Sequence, residues 1–209
     1  EGEATPANIP FVILGTGLLW FGWFGFNSGS AFSAGTDAVV AFANTNLASA
    51  TAMITWIFFD RYRDRKMSAV GACIGAVVGL VAITPAAGFV SLGDSVLIGF
   101  IAALVSNLVI DLFHKSGQVD DTLDVFASHG VGGMVGMLLT GVFATEVGLT
   151  SGEFETFGKH LAALAAVALG AFGLSYALFA LVNALIPMRV TSKQEERGLD
   201  DSQHGEQLN

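Results

Sequence analysis

The sequence predicts an all-α fold, a polytopic membrane bundle of six transmembrane helices. Three observations lead to this prediction. Of the 209 residues, 53% are hydrophobic and only 13% are charged, which is the composition of a membrane protein rather than of a soluble domain. Apolar stretches recur at about the 17 to 25 residues that a helix needs to cross a lipid bilayer. Charged residues are concentrated in the connections and in the last part of the chain.

The six helices are expected to alternate with short polar connections. Their predicted ranges are 10–30, 37–59, 68–84, 93–114, 122–145 and 157–188. The last range is longer than a bilayer requires, so we expect this helix to be strongly tilted. The helices define a transmembrane domain over 10–189, preceded by a cytoplasmic segment over 1–9 and followed by a cytoplasmic tail over 190–209. The tail is polar, and its composition predicts disorder.

Eight of the nine lysine and arginine residues fall on one predicted side of the membrane. They are Arg61, Arg63, Arg65, Lys66, Lys115, Arg189, Lys193 and Arg197, while Lys159 falls on the other side. Short loops rich in Lys and Arg stay in the cytoplasm, so we expect the first helix to run outward and the C-terminus to be cytoplasmic. The acidic start has no signal peptide. The chain also does not begin with methionine, so it is expected to be a fragment or a processed product, and an odd number of missing spans would let the full protein begin outside.

Aromatic residues cluster at the outer end of the first predicted helix. Trp20 and Phe21 are interpreted as part of an interfacial aromatic belt. Phe26 differs, because glycines at helical spacing leave room beside its ring. These glycines are Gly22, Gly25 and Gly29. A ring in such a place can hold a cation over its face, and Ser30, one turn further on, can accept a hydrogen bond from that cation.

The second and third predicted helices have sequence features of close packing. Asn44, Thr45 and Asn46 are polar side chains that can bond to other helices. The third helix repeats glycine at every fourth position, a pattern that lets helix backbones approach closely. The positions are Gly71, Gly75 and Gly79. Pro85 is expected to end this helix at the outer face, directly after Thr84.

His129 is the strongest candidate for a functional residue, because an ionisable side chain within an apolar span is costly and often marks a substrate or proton path. Glycines follow it at three, four and seven residues, so this side of the helix is expected to be nearly bare backbone around the imidazole. They are Gly132, Gly133 and Gly136. Two interpretations remain open. Either a small molecule approaches the ring, or His129 is a buried residue bonded to a neighbouring helix and the glycines serve packing.

Three acidic residues, Asp120, Asp121 and Asp124, lie at the start of the fifth predicted helix. Carboxylates are favoured there, because free backbone N–H groups and the positive end of the helix lie close by. Capping is therefore their predicted role. The five-residue offset from Asp124 to His129 turns the two side chains to different faces, so no pairing between them is predicted.

The motifs that are missing from the sequence exclude several classes of protein. There is no His-Glu-x-x-His, no Gly-x-Ser-x-Gly and no phosphate-binding glycine loop, so no enzyme activity, cofactor or metal is predicted. There is no basic patch of the kind that binds nucleic acid. The single cysteine, Cys73, excludes a disulfide within the chain.

Four segments together resemble the Amt/MEP/Rh family of ammonium transporters. They are GWFGFNSGS at 22–30, GAC through ITPA at 71–86, DDTLDVFASHG at 120–130 and GLD through HGE at 198–206. They occur in order over almost the whole chain. Members of this family have eleven helices and form trimers with one pore in each protomer. The resemblance therefore implies helices six to eleven of an ammonium transporter.

The resemblance also implies roles for individual residues. Phe26 would be one ring of a paired phenylalanine gate, Ser30 part of the ammonium-binding site outside it, and His129 one of two pore histidines. Thr84 and Asp124 are candidate supporting residues. The partners of these residues lie in the first half of the family's fold. The tail resembles the family's regulatory C-terminus, which implies a PII-type signalling protein as a partner at the cytoplasmic face of the cell membrane.

The physical chemistry of such a pore favours neutral ammonia over a bare ion. Moving a charge into a dry apolar passage costs up to tens of kcal/mol by Born estimates. With lysine's reference pKa of about 10.4 standing in for ammonium, losing a proton at pH 7 costs roughly 4 to 5 kcal/mol. Potassium cannot lose its charge in this way. We therefore expect ammonium capture outside, proton removal near Phe26 and passage along a pore that contains His129.

Two other functions fit the same fold. An ammonium sensor would bind ammonium in the same pore without flux and would signal through its tail. A truncated remnant would not transport.

Overall fold

The computed structural model describes residues 6–117 and 121–206, and in these ranges it contains helices but no β-strand. Six helices form the main part of the chain: α1 Ile9–Gly29, α2 Thr36–Tyr62, α3 Ala69–Ile83, α4 Leu92–Ser116, α5 Phe126–Phe143 and α6 Glu155–Leu185. Each overlaps one predicted range, so the predicted all-α fold is confirmed. A short helix α7, Ser192–Arg197, and a π-helical turn, Asp200–His204, follow in the tail. Three parts of the predictions, 1–5, Asp120 and 207–209, lie outside the described residues.

Five of these helices are long and apolar enough to cross a membrane, counted over the described residues. The exception is α3, which has 15 residues. It is about 22 Å long, whereas the hydrocarbon core of a bilayer is about 30 Å thick. The sequence predicted two more helical residues here, but Ser68 and Thr84 are the caps of α3. The hydroxyl oxygen of Ser68 accepts a hydrogen bond from the backbone N–H of Gly71 at 2.9 Å.

The segment between α3 and α4 is irregular but buried. Ala86, Ala87 and Val90 are all shielded from solvent. Asn44 of α2 donates hydrogen bonds from Nδ2 to the carbonyl oxygens of Ala87, at 2.8 Å, and Val90, at 2.9 Å. An unsatisfied carbonyl in a membrane costs several kcal/mol, and irregular backbone is tolerated there only when protein covers it. The Asn44 side chain therefore stabilises this connection inside the bundle.

The centre of the bundle is formed by α2, α3 and α4, whose backbones approach closely at small residues. A methyl group on Gly79 would lie 2.5 Å from the carbonyl oxygen of Ala48, and one on Gly99 would lie 2.3 Å from the same atom. A methyl group on Gly75 would lie 2.6 Å from Cβ of Trp56. The prediction that the glycines of α3 serve helix packing is therefore confirmed.

An ionic cluster joins the α2–α3 connection to α4. Arg63 and Arg65 both contact the carboxylate of Asp111. Asn107 accepts a hydrogen bond from Arg63 at 3.2 Å and donates one to Asp60 at 2.9 Å. The charges of the two arginines are thus balanced by two buried carboxylates. The cluster also brings the last turns of α2 and α4 to the same end of the bundle, which is the end predicted to face the cytoplasm.

The chain divides into two compact units, with the boundary between Leu164 and Ala165 inside α6. In the second unit α6 exposes large apolar side chains such as Phe172 and Tyr176. A helix that exposes such residues along its length is typical of a lipid-facing position.

The tail, which belongs to the second unit, contains more regular structure than its composition predicts. The prediction of disorder is wrong over α7 and the π-helical turn that follows it. Thr191 and Gln194 form a capping box at the start of α7, and Arg197 pairs with Asp201 four residues later at 2.5 Å. Composition counts charged and polar residues, but it does not record the spacings at which they cap and pair.

Candidate functional site

Phe26 lies near the C-terminal end of α1, and 63% of it is exposed. Its neighbour is the indole of Trp23, with ring centroids 5.8 Å apart and an angle of 59° between the planes. The backbone beside it is open, because a methyl group on each glycine of this turn would meet no atom within 4 Å. These glycines are Gly22, Gly25 and Gly29. The free space predicted around Phe26 is therefore present.

Thr84 binds the α1 turn that carries Phe26. Nε1 of Trp23 donates a hydrogen bond to Oγ1 of Thr84 at 2.8 Å, and the Thr84 hydroxyl donates in turn to the carbonyl oxygen of Leu80 at 2.8 Å. Sequence reasoning named Thr84 as a supporting residue but gave Trp23 no role. The signal that could have identified Trp23 is its three-residue spacing from Phe26, which puts both rings on one helix face.

A second bond holds the same turn to α2. Asn27, next to Phe26, is buried and donates from Nδ2 to Oγ1 of Thr45 at 2.9 Å. With the Asn44 bonds, this contact confirms that polar residues of α2 bond to other parts of the chain, although Asn46 is exposed. The position of Phe26 is thus fixed by bonds to both α2 and α3.

Ser30 directly follows α1 and is exposed. Its hydroxyl donates a hydrogen bond to the carbonyl oxygen of Phe26 at 2.7 Å. Because the hydroxyl proton is used in this bond, the oxygen offers its lone pairs to a donor. This geometry suits the predicted role of accepting a hydrogen bond from a cationic ligand.

His129 lies in the first part of α5, a π-helical stretch over Phe126–Val131. Its side chain is exposed and has no hydrogen bond to another residue within 6–117 or 121–206. Within these residues the ring is bonded to no neighbouring helix, and both interpretations of His129 stay predictions. π-Helical stretches are rare and frequently occur at functional sites.

The glycines that follow His129 face other helices. A methyl group on Gly136 would lie 2.1 Å from the carbonyl oxygen of Ala82 in α3, and one on Gly132 would lie 3.7 Å from Oγ of Ser106 in α4. The expectation of bare backbone open to a small molecule is wrong at these positions, and the packing interpretation holds for them. The expectation assumed α-helical spacing throughout, whereas a π-helical turn changes the angle between successive side chains.

Two aspartates at the start of α5 have different roles. Oδ1 and Oδ2 of Asp121 accept hydrogen bonds from the backbone N–H groups of Val125, at 2.9 Å, and Phe126, at 2.8 Å, so capping is confirmed for this residue. Asp124 has a φ of 52°, and its Oδ1 lies 2.8 Å from Nε2 of His114 in α4. Its side chain joins two helices and does not cap α5, so the capping prediction is wrong for Asp124.

Few charged side chains accompany the candidate site residues Phe26, Ser30 and His129. Partial burial raises the pKa of the Asp124 carboxyl above its ordinary value, and the neighbouring His114 acts in the opposite direction. In the part of the chain that the structure describes, no group of three or more His, Cys, Asp or Glu side chains could hold a metal ion. Phe26, Ser30 and His129 can offer an aromatic face, a hydroxyl acceptor and an imidazole to a small polar ligand.

The helices and this site define the chain as a multi-pass helical membrane protein. The sequence model of the Ammonium Transporter Family matches residues 1–208. The chain belongs to this family. Membership of a family of transporters also confirms that the chain is not an enzyme.

Relatives in two prokaryotes are similar along nearly the whole chain. A putative ammonium transporter of Methanothermobacter thermautotrophicus is 41% identical over 214 residues, which cover 99% of this chain and 53% of that protein. An ammonium transporter of Bacillus subtilis is 40% identical with the same coverage. The chain thus spans about half the length of the curated relatives it matches.

Solved structures share the fold. The crystal structure of Candida albicans Mep2 matches with a TM-score of 0.86 and 36% identity, over 92% of this chain and 45% of Mep2. A sensor Amt protein matches with a TM-score of 0.87 and 30% identity, over 94% of this chain and 49% of that protein. The chain therefore has a fold that matches part of these structures.

Proposed function

We propose that this chain forms helices six to eleven of an ammonium transporter, whose first half supplies the other wall of the pore. The observation that supports this most directly is the exposed imidazole of His129 on a membrane-length helix, in a chain of the ammonium transporter family. An ionisable group on such a helix is costly in contact with lipid. A first half that covers this face would leave the imidazole in a narrow passage instead.

Ammonium is captured at the outer end of the pore. The exposed ring of Phe26 attracts a cation through its negative face, with about 0.5 to 2 kcal/mol depending on how dry the site is. The Ser30 oxygen accepts one of the N–H donors of ammonium, because its own proton is bonded to the backbone. Two weak contacts of this kind hold the ion without trapping it.

The ion loses its proton before it enters the apolar part of the pore. Carrying the charge through would cost up to tens of kcal/mol, whereas deprotonation at pH 7 costs roughly 4 to 5 kcal/mol on the lysine scale. The ion gives this proton to water near Phe26, and the small, neutral ammonia that remains enters the pore. Potassium is excluded because it has no proton to lose.

His129 then binds ammonia inside the pore. Neutral imidazole has one N–H donor and one nitrogen acceptor, and ammonia offers the complementary groups. The ring nitrogens of His129, which have no hydrogen bond within the described residues, can therefore replace part of the hydration that ammonia loses, or accept and pass on the proton that ammonium gives up.

The same proposal includes the membrane topology, the oligomeric state and a regulatory partner. The transmembrane domain spans 10–189 of a multi-pass protein of the cell membrane, with 1–9 and the tail over 190–209 on the cytoplasmic side. Three copies form the transporter, each with its own pore. The ordered tail offers a surface to a PII-type regulatory protein.

The first test replaces His129 by alanine in the full-length transporter. Loss of one hydrogen bond to ammonia, about 0.5 to 1.5 kcal/mol, should lower ammonium flux roughly 2- to 13-fold and change selectivity over methylammonium. The measurement is ammonium-driven current and pH change in proteoliposomes, with potassium chloride as the reference salt. Unchanged flux and unchanged selectivity would exclude His129 from the pore.

The second test replaces Phe26 by alanine. Removing the cation-binding ring should raise the half-saturating ammonium concentration about 2- to 30-fold. The matched control is Phe172→Ala on α6, where the phenylalanine is 75% exposed and no pore role is assigned. An equal change in both variants would mean that Phe26 has no specific part in capture.

A sensor is the second candidate function, favoured by the likeness to a protein described as a sensor Amt protein. A sensor would bind ammonium by calorimetry but would show no flux in the same proteoliposomes. Absence of both binding and flux with the first half present would identify a non-transporting remnant.

A further inference from the structure

Two neighbouring contacts fasten the start of α5 to the end of α4. The rings of Phe113 and Phe126 are stacked, with centroids 5.4 Å apart and planes 12° apart. Beside them, Nε2 of His114 and Oδ1 of Asp124 are 2.8 Å apart. Two consecutive residues of α4 thus hold the segment that leads into the π-helical stretch.

The ring of Phe126 also lies against the backbone next to His129. A methyl group on Gly130 would be 3.1 Å from Cδ2 of this ring, which is closer than ordinary van der Waals contact. Gly130 does not have a left-handed φ, so the close ring, not the backbone conformation, explains why a glycine fits here. The ring is held between Phe113 on one helix and the residue after His129 on the other.

The backbone of Phe126 is fixed as well. Its N–H donates to Oδ2 of Asp121 at 2.8 Å, and it is the first residue of the π-helical stretch. The stretch continues to Val131 and becomes α-helical at Gly132. Successive side chains of a helical turn are related by a regular rotation, so the backbone at the first residue of the turn sets the direction of the side chains that follow in it. The direction of the His129 imidazole therefore depends on where Phe126 is held.

We propose that Phe126 is a positioning residue for His129, and that its ring, stacked on Phe113 and pressed against Gly130, keeps the π-helical turn in the register that directs the imidazole into the pore. This inference rests on the proposed function, because it takes His129 as a pore residue. Phe126 acts through the backbone and does not itself touch the substrate.

The experiment measures the exposure of His129 separately from flux. In the reconstituted full-length transporter, Phe126→Leu should change the rate at which diethyl pyrocarbonate modifies His129 by about 2- to 30-fold, the range of couplings carried by packed side chains. Peptide mass spectrometry resolves each histidine. His160 in α6, whose Nδ1 lies 3.0 Å from the carbonyl oxygen of Met137, serves as the internal reference and should not change.

Matched variants separate positioning from general damage. Phe126→Tyr keeps the stacked ring and should restore the modification rate, while Phe172→Leu removes a ring from the Phe172–Tyr176 stack on α6 and should have no effect on His129. Where Phe126→Leu fails to fold, Phe113→Leu removes the same stack from the other helix, and the same change at His129 is expected.

The outcomes distinguish this inference from the proposed function. An unchanged His129 rate in a folded Phe126→Leu or Phe113→Leu protein overturns the positioning role, and so does an equal change at His160. If His129→Ala leaves flux unaltered, the proposed function fails, while the modification rates still decide whether Phe126 directs the imidazole. If His129→Ala lowers flux and Phe126→Leu changes neither flux nor modification, only the positioning role fails.

Discussion

Trp20 and Trp23 lie three residues apart on α1 and make different contacts. Nε1 of Trp23 donates to Thr84, whereas Nε1 of Trp20 is buried without a hydrogen-bond partner among the described residues. The pair therefore allows the Trp23–Thr84 bond to be tested with a matched substitution in the same helix.

We expect Trp23→Phe to lower the free energy of unfolding by about 0.5 to 1.5 kcal/mol more than Trp20→Phe, because only the first change removes a hydrogen bond. The measurement is thermal or denaturant unfolding of the full-length protein in detergent. Equal losses in the two variants would mean that the bond contributes nothing to stability.

The sequence indicated candidate residues more readily than it indicated their partners. Phe26 and His129 were recognisable because a ring beside glycines and an ionisable group in an apolar span are unusual on their own. The partner of Trp23 is 61 residues away, and no local pattern connects them. The pairing of His114 with Asp124 involves an aspartate with a left-handed backbone, and no pattern in the sequence predicts that conformation.

At the scale of the helix, the glycines of α3 are a testable packing contact. Gly79→Ala would place a methyl group 2.5 Å from the backbone of Ala48, and backbone atoms cannot yield as the end of a side chain can. We expect the two helices to separate, with a loss of about 1 to 3 kcal/mol in the free energy of unfolding.

The matched control for Gly79→Ala is Gly170→Ala in α6, where a methyl group meets no described atom within 4 Å. This change should leave stability equal or slightly higher, because alanine favours a helix more than glycine does. Unfolding of both variants by the same denaturant series gives the comparison. If Gly79→Ala is as stable as Gly170→Ala, α3 does not pack as closely as described.

Helix positions were predictable because each span requires a long apolar stretch, and the number of consecutive apolar residues can be read from the sequence. The π-helical stretch was not predictable, because hydrophobic periodicity cannot distinguish it from one α-helical turn. As a result, the glycines after His129 were placed on the wrong side. The short α3 was close to predictable, since Ser68 and Pro85 are ordinary signals for the start and end of a helix.

For the whole molecule, the distribution of charge predicts which end faces the cytoplasm. The cluster of Arg63 and Arg65 lies at one end of the bundle. Helix α5 runs to the other end, where the α5–α6 connection carries Glu153. From the positive-inside rule we expect the tail to be cytoplasmic and Glu153 to lie outside.

Cysteine labelling in a Cys73→Ser background tests this orientation. A membrane-impermeant maleimide added to intact cells should label Glu153→Cys, and it should label Gln203→Cys only after the cells are opened. Both positions are exposed, so accessibility within the protein does not limit the reaction. Labelling of Gln203→Cys in intact cells would reverse the proposed orientation.

The short third helix affects how the chain enters the membrane during synthesis. As a lone span, a helix about 22 Å long would leave the bilayer roughly 8 Å too thick around it, and thinning the lipid costs free energy. Between α2 and α4 the same helix is surrounded by protein, and Asn44 satisfies the carbonyl groups beyond its end. We therefore expect α3 to insert stably only together with α2 and α4, which cover it in the folded protein.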